Sequence, residues 1–278
     1  MEQNHLIRAS DQESPQDNSH WWVLWTGLAD GAWNMALDEW LMATAPERPP
    51  TLRLYGWRHP TVSLGRNERW RRAVRLERLS ERGVRLVRRP TGGRAVLHQR
   101  ELTYSVTAAA DRHSPLGSRL DDTLMRISAA LSEAMAGLGV RADVTRRDHP
   151  VPRSDGPCFE TASRYELVAN GHKLVGHAQL RTSTAFLQHG SMPVFDPIGP
   201  LRALGPGHRK PETTVDTGGA LAAWAPEAPD WFATRLADMF TGHFGSRPRW
   251  VPVSMVDREA VIRLERGRYG NAGWTFRR

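Results

Sequence analysis

The sequence is poor in cysteine and in lysine. Cys158 is the only cysteine in 278 residues, and the 38 basic side chains include just two lysines, Lys173 and Lys210. A single thiol excludes an internal disulfide and fits a reducing cytoplasm. It also excludes the paired C-x-x-C of zinc ribbons and thioredoxin-like centres. No run of about 18 apolar residues is present, so no transmembrane helix and no membrane attachment is expected. The opening MEQNHLIRASDQESPQDNSH lacks the apolar stretch of a secretory signal. The G-x-x-x-x-G-K-[ST] phosphate loop, a G-x-G-x-x-G after a strand and H-E-x-x-H are all missing, which removes the commonest nucleotide cradles and the zinc-protease helix. A Ser–His–Asp set stays open by spacing, although no G-x-S-x-G elbow appears. Cys158, His172 and His177 make a poor zinc site, because two histidines five apart on one strand point to opposite faces, and no metal is expected.

What is abundant is arginine. A formal charge of +8 and a pI near 10.6 call for an acidic partner, nucleic acid or protein. No dense basic block with interleaved aromatics occurs, so nucleic acid is the weaker reading. Residues 1–20 read as a disordered polar tail. A strand is expected at Trp21–Trp25. A helix follows in which Trp33, Leu37, Trp40 and Leu41 recur at helical spacing, with Asp30 placed to cap it. The segments Leu52–Trp57, Thr61–Leu64 and Val84–Arg89 read as strands, and Arg69–Arg82 as a polar helix stopped by Gly83. In PTGGRAVLHQRELTYSV, Pro90 through Gly93 separates strands. Gly92-Gly93 permits close backbone approach, and Arg88, Arg89 and Arg94 around it suit a polar headgroup or a docking carrier. Val96 and His98 share a strand face.

Further on, Leu120, Leu124, Ile127, Leu131, Met135 and Leu138 stripe a helix over 118–138 that ends at Gly139. Residues 141–156 and 196–220 read as loops. A second amphipathic helix spans Pro229–Phe244, and Asp257 caps a last one over Arg258–Arg266. No repeat and no second core is visible, so one domain with a short C-terminal appendage is expected.

The stretch from Gly156 to Pro193 carries both scarce residues of interest. Asn170-Gly171 between RYELVA and HKLVGHAQL is a strong tight-hairpin signal. A two-residue turn puts Ala169 opposite His172, Val168 opposite Lys173 and Leu167 opposite Leu174. Alternation then assigns Tyr165, Leu167, Leu174, Gly176 and Ala178 to one face, the core. Arg164, Glu166, Val168, Lys173, Val175 and His177 share the other, which is either wet surface or the wall of a polar site. A third strand is expected over Thr184–Gly190. A thiolate beside an ammonium suits acyl transfer, whereas a lone cysteine can equally be a small buried hydrophobe.

Together these segments resemble the biotin/lipoate protein ligase and lipoyl/octanoyl transferase family over most of residues 30–278. The resemblance lies in WNMALDEWLM, LRLYGWRHPTVSLGRNE, RRPTGGRAVLHQRELTYSV, GHKLVGHAQLRTSTAFLQHGSM and RYGNAGWTFRR. Within the family the chain is most similar to the LipM-type octanoyltransferases. They carry CF-x-x-x-S-x-Y-E-L, then G-x-K-x-x-G-x-A-Q, then L-Q-H-G-S. Here these are Cys158-Phe159, Ser163, Tyr165–Leu167, Gly171, Lys173, Gly176, Ala178-Gln179 and Leu187–Ser191. His177 departs from the small serine of many relatives. Arg94 replaces the third glycine of the ligase-type Gly-Gly-Gly, which speaks against a nucleotide there.

The resemblance implies an α+β fold, a mixed and largely antiparallel sheet flanked by helices. It implies a catalytic domain over 21–278, with its core at about 30–248 and a helical appendage at about 249–278. It implies that Cys158 takes octanoate from octanoyl-acyl carrier protein as a thioester and passes it, ping-pong, to a lysine of a lipoyl carrier such as glycine cleavage H protein. Lys173 would lower the Cys158 pKa and contact the acyl carbonyl. Arg89, Gly92, Gly93, Arg94, His98 and Gly176 would line the acyl pocket, and no cofactor is implied. The alternatives are an ATP-dependent lipoate ligase, an amidotransferase between lipoyl domains, and a non-enzymatic binding module.

Overall fold

The computed structural model describes residues 20–99, 101–111, 114, 116–145, 165–169, 172–193 and 230–277. The polar tail, the Asn170-Gly171 turn, Cys158 with the loop before it, and the 196–220 segment lie outside the described residues. Along the chain the strands are β1 (His20–Ala29), β2 (Thr51–Trp57), β3 (Thr61–Leu64), β4 (Arg85–Arg88), β5 (Val96–His98) and β6 (Glu101–Ala109). They continue as β7 (Asp143–Val144), β8 (Leu167–Ala169), β9 (His172–Arg181), β10 (Ala185–Pro193) and β11 (Arg247–Trp250). Eight of them form one sheet in the order β11-β1-β2-β6-β10-β9-β8-β7. β1 runs parallel to both its neighbours, and the other pairings are antiparallel. A smaller sheet sets β3 between parallel β4 and antiparallel β5. With helices on both sides, this is the expected α+β architecture.

The large sheet buries its two faces differently. On β2 and β6, Leu52, Leu54, Leu102, Tyr104, Val106 and Ala108 point one way and pack beneath α4 (Leu120–Gly137) and α5 (Asp230–His243). The expected α4 stripe holds at Ile127, Leu131 and Met135, all fully buried, while Leu120 at its start is exposed. The alternate residues Arg53, Tyr55, Thr103, Ser105 and Thr107 point the other way. They are also buried, because α1 (Gly31–Ala43) lies over them and supplies the polar partners described below. Leu37, Leu41, Met35 and Ala36 of α1 pack with Val256, Val261 and Tyr269 of the C-terminal segment. There α6 (Arg258–Leu264) is capped by Asp257, whose side chain accepts from the Ala260 amide at 2.9 Å as expected. The segment is strapped down by Arg268 and Tyr269, which both donate to Glu39 on α1. At α7 (Ala272–Thr275), Arg88 donates to the Thr275 carbonyl at 2.8 Å, and the Trp274 indole returns a bond to the Arg88 carbonyl.

Four expectations are corrected. The single helix over Arg69–Arg82 is two short ones, α2 (Trp70–Ala73) and α3 (Leu76–Glu81), because Val74 and Arg75 between them are extended and Val74 turns into the core. Asp30 precedes α1 but makes no capping bond; its carboxylate faces Arg85 at 2.9 Å. Arg88 serves no headgroup, being fully buried and spent on the carbonyls of Gly65, Glu68 and Thr275. The hairpin register holds at Ala169↔His172 and Val168↔Lys173 but slips at a bulge, so Leu167 faces Val175 rather than Leu174.

Candidate active site

Where β3, β5, β6, β9 and β10 converge beneath α1, the chain leaves a cavity of about 480 Å³ counted to its open mouth. Apolar walls come from Met35, Tyr55, Trp57 and Val96, and a polar wall from Arg89 and His98. Four residues expected at the site thus meet here: Arg89, Gly93, His98 and Gly176. Gly176 opposes Ser191 across the β9–β10 pair and opens into the cavity instead of the core. Gly92 and Arg94 are not in the lining; their carbonyls accept from Arg89 at 2.7 and 2.8 Å and so aim its guanidinium. His177 also lies along the wall. Both its ring nitrogens are buried and have no hydrogen-bond partner among the described residues. Burial first, then the charge of Lys173, push its pKa down to about 3, so the ring is neutral.

The glycine turn beside the cavity is tight for a steric reason. Gly93 sits at φ 92°, in the left-handed region that favours glycine. A Cβ on Gly65 would fall 1.8 Å from the Gly93 carbonyl oxygen. Gly65→Ala is therefore expected to destabilise the protein by about 1–3 kcal/mol, as overpacking does. Gly92→Ala, which meets nothing within 4 Å, is expected to leave stability unchanged. Denaturant unfolding of the two variants checks the contrast.

Two hydroxyl–imidazole–carboxylate chains border the cavity. In the first, Ser63 Oγ lies 2.7 Å from His98 Nε2, and His98 Nδ1 lies 2.7 Å from Glu101. Arg89 donates to Ser63 Oγ at 3.0 Å. Ser63 Oγ, already accepting from Arg89, and the Glu101 carboxylate thus hold the His98 ring from its two nitrogens. Glu101 also accepts from Thr103 and Ser191, each at 2.6 Å, and Trp57 stacks on His98 at 3.9 Å. The arrangement is serine–histidine–glutamate, where the spacing had left open a set ending on aspartate. Its serine sits inside a strand beneath a guanidinium, which fits a fixed polar wall better than an exposed nucleophile.

In the second chain, Thr91 Oγ1 lies 2.6 Å from His189 Nε2, and His189 Nδ1 lies 3.0 Å from Asp38. Burial lowers the His189 pKa against the opposing pull of Asp38, so the ring is neutral and donates to Asp38. Asp38 also accepts from Arg53 at 2.7 Å, Ser105 at 2.8 Å and Tyr55 at 3.0 Å. Burial alone would raise its carboxyl, but Arg53, His189 and Ser105 outweigh that and hold it below the usual range.

Lys173 stands apart from the cavity lining, three residues before Gly176 on β9, or ~10 Å along the strand. It is buried, and its ammonium lies 2.7 Å from the carboxylate of Glu166, with side-chain exposures of 2% and 3%. The polar hairpin face is thus the wall of a buried charge pair rather than wet surface. Cys158 lies outside the described residues.

The arrangement offers a shaped apolar cavity, neutral imidazoles, fixed donors and one buried ammonium. Sequence reasoning gave no site role to Asp38, Ser63, Thr91, Glu101, Glu166 or His189, although all six stand inside the motifs quoted for the family resemblance.

Residues 30–201 match the lipoyl protein ligase A/B catalytic domain. The chain is 45% identical over 179 residues to an octanoyltransferase LipM from Kyrpidia tusciae, covering 62% of this chain and 65% of that protein, just under two thirds of its length. It is 35% identical over 287 residues to an octanoyltransferase LipM from Symbiobacterium thermophilum, covering 94% of this chain and 99% of that one. Its fold is similar to a putative lipoate protein ligase from T. acidophilum, at 19% identity and TM-score 0.72 over 94% of this chain and 99% of the other. It is also similar to a lipoate-protein ligase A bound with ATP, at 20% identity and TM-score 0.74 over 93% and 98%.

Proposed function

Because the chain belongs to the lipoyl protein ligase A/B catalytic-domain family, we propose that it is a cysteine-dependent octanoyltransferase of lipoate biosynthesis. The observation that carries this is the likeness, over nearly the whole of both chains, to an octanoyltransferase. The cavity supports it, since an apolar-walled slot with one polar side suits a medium acyl chain ending in a carbonyl. In the proposed reaction Cys158 attacks the thioester carbonyl of octanoyl-acyl carrier protein. The carrier's C–S bond breaks, its thiol leaves, and octanoate stays on Cys158. A lysine amine of a lipoyl-carrier protein, of the glycine cleavage H protein type, then takes the acyl group as an amide. Arg89, aimed by the carbonyls of Gly92 and Arg94, and His98 would bound the polar side of the acyl pocket beside Gly93, and Gly176 would leave space for the chain. Lys173 would supply the positive charge beside the reacting carbonyl. The donor is already a thioester, so the route consumes no nucleotide. The arginine-rich composition suits acidic carrier proteins, and the single cysteine suits a cytoplasmic setting.

Intact-protein mass spectrometry after mixing with octanoyl-acyl carrier protein, without ATP, tests the proposal. The expected result is one added octanoyl group, labile to hydroxylamine and absent from Cys158→Ala. No adduct without ATP, together with an acyl-adenylate when octanoate and ATP are supplied, would overturn it in favour of a ligase.

A further inference from the structure

A band of exposed charge of one sign begins at the rim of the cavity. Gly93 lines the cavity and is itself exposed. Gly65 packs against it, and the Arg66 amide donates to the Thr91 carbonyl at 2.7 Å. From this rim the chain runs outward as RNERWRRAVR, through α2 and into the extended link before α3. Arg66, Arg69, Arg71, Arg72 and Arg75 are all exposed, and none of them is in an ion pair among the described residues. The one acid in this stretch, Glu68, is turned inward, where it accepts from the amides of Gly65 at 3.1 Å and Ala95 at 2.9 Å. Other arginines do have acids beside them: Arg85 faces Asp30 at 2.9 Å, and Arg263 faces Glu259 at 3.9 Å.

The band is held in place from below. Val74 and Leu79 sink into the small core formed with Val62, Leu64, Ala95 and Leu97. Trp70 meets the ring of Phe276 edge-on at 5.2 Å, and the Arg71 guanidinium lies over the Trp70 ring at 4.3 Å. A guanidinium stacked on an aromatic face is already oriented, so less freedom is lost when a partner arrives. Leu76 and Phe276 leave apolar surface exposed beside the arginines. Arginine together with aromatic and apolar surface is the composition that protein interfaces favour.

Crowded like charges repel one another and gain from an acidic partner. The proposed reaction has two such partners, and they differ in reach. A lipoyl carrier offers a lysine side chain, which is short, so that protein must sit against the mouth itself. Acyl carrier protein offers its thioester at the end of a long arm joined to the protein through a phosphate, so its body can sit away from the mouth. A face that starts at the rim and runs away from it fits the second. We propose that the arginine face over residues 66–75, flanked by Leu76 and Phe276, is the docking surface for the acidic acyl carrier protein that donates the octanoyl group. This rests on the octanoyltransferase reading. Guanidinium groups suit both the carboxylates of such a carrier and the phosphate of its arm. Two exposed arginines away from the cavity lining provide a contrast. Arg235 is on α5, which packs on the face of the large sheet turned away from α1, and Arg247 is on β11, separated from β6 by β1 and β2.

Octanoyl loading can be timed by intact mass with two donors, octanoyl-acyl carrier protein and the small neutral thioester octanoyl-N-acetylcysteamine. With the carrier donor below saturation, Arg72→Glu/Arg75→Glu is expected to load on the order of 10²-fold more slowly than wild type at low salt, within the range by which steering charges change association. The gap should close as ionic strength rises. Loading from the small thioester, and discharge of the loaded enzyme to a lipoyl-carrier protein, should match wild type. Arg235→Glu/Arg247→Glu, which changes the net charge by the same amount, should load from the carrier donor at close to the wild-type rate. Unchanged carrier loading by Arg72→Glu/Arg75→Glu would overturn the inference while leaving the transferase reading intact, and salt-steep binding of a DNA duplex lost in that variant would then assign the face to nucleic acid. Equal slowing with both donors would overturn it, because the effect would then lie in the cavity. Slower discharge would overturn it in favour of a face for the lipoyl carrier or one that both carriers share. An equal loss in Arg235→Glu/Arg247→Glu would overturn it by leaving net charge as the cause. Failure of the wild type to load from either donor would overturn the reading beneath it.

Discussion

Asp38→Ala is expected to lower the unfolding free energy by about 3–5 kcal/mol, the usual result of removing one partner of a buried ion pair. Arg53 is fully buried and would keep its charge with no other carboxylate paired to it among the described residues. The hydroxyls of Tyr55 and Ser105 and the Nδ1–H of His189 would lose their acceptor at once. The cost belongs to the orphaned groups and not to the pair as such, so Asp38→Leu combined with Arg53→Met should cost less than Asp38→Ala alone. Denaturant unfolding of the three proteins decides this. The pH dependence has a definite sign. The folded carboxyl of Asp38 lies below the usual carboxylate range, so its contribution is fully present above the unfolded value of about 3.9. That contribution is lost as pH falls through the folded value. The gap between wild type and Asp38→Ala should be flat from neutral pH to about pH 5 and shrink below about pH 4.

Asp38 also shows why part of the site was invisible in the sequence. Its neighbours Leu37 and Leu41 announced a helix with a core face, and the helix is there. A carboxylate beside that stripe reads as solvated, and only a cation arriving on another element can reverse the reading. Arg53 does so from β2, as do Ser105 from β6 and His189 from β10. The same holds for Thr103, Ser105 and Thr107, whose alternation along β6 marks a strand correctly but would place its polar face in water. By contrast, the apolar spacing of α4 and the strands flanking Asn170-Gly171 were legible because their signals are local. The hairpin register was right next to the turn and wrong past the bulge, since a bulge is paid for by contacts the turn does not encode. Arg89, Gly93, His98 and Gly176 were legible through family resemblance, and the cavity gathers them. Ser63 and Glu101, which fix His98 from two other strands, carried no signal of their own.

The largest expected effect on activity is that of Cys158→Ala, which should slow octanoyl transfer by about 10³-fold or more, as removal of a covalent nucleophile does. The sharper experiment asks whether Cys158 and Lys173 act as a unit. Lys173→Met alone would strand the Glu166 carboxylate in the interior, so the charge pair is best removed as Lys173→Met with Glu166→Gln, an exchange that often leaves stability little changed. That neutral pair is expected to lower transfer by about 10²-fold on its own. Added to Cys158→Ala, it should lower the rate no further. An ammonium whose role is to stabilise a thiolate and then a thioester carbonyl has nothing to act on once the sulfur is gone. If Lys173 instead worked independently, by shaping the pocket or docking a carrier, the two losses would multiply and the triple variant would be slower than Cys158→Ala by the same 10²-fold. Single-turnover transfer from octanoyl-acyl carrier protein to a lipoyl carrier, with circular dichroism confirming that each variant is folded, separates the two outcomes. A multiplied loss would dissolve the cysteine–lysine dyad while leaving Cys158 as the nucleophile. An unchanged rate would tie the scarce thiol and the scarce ammonium of this arginine-rich chain to one reaction centre.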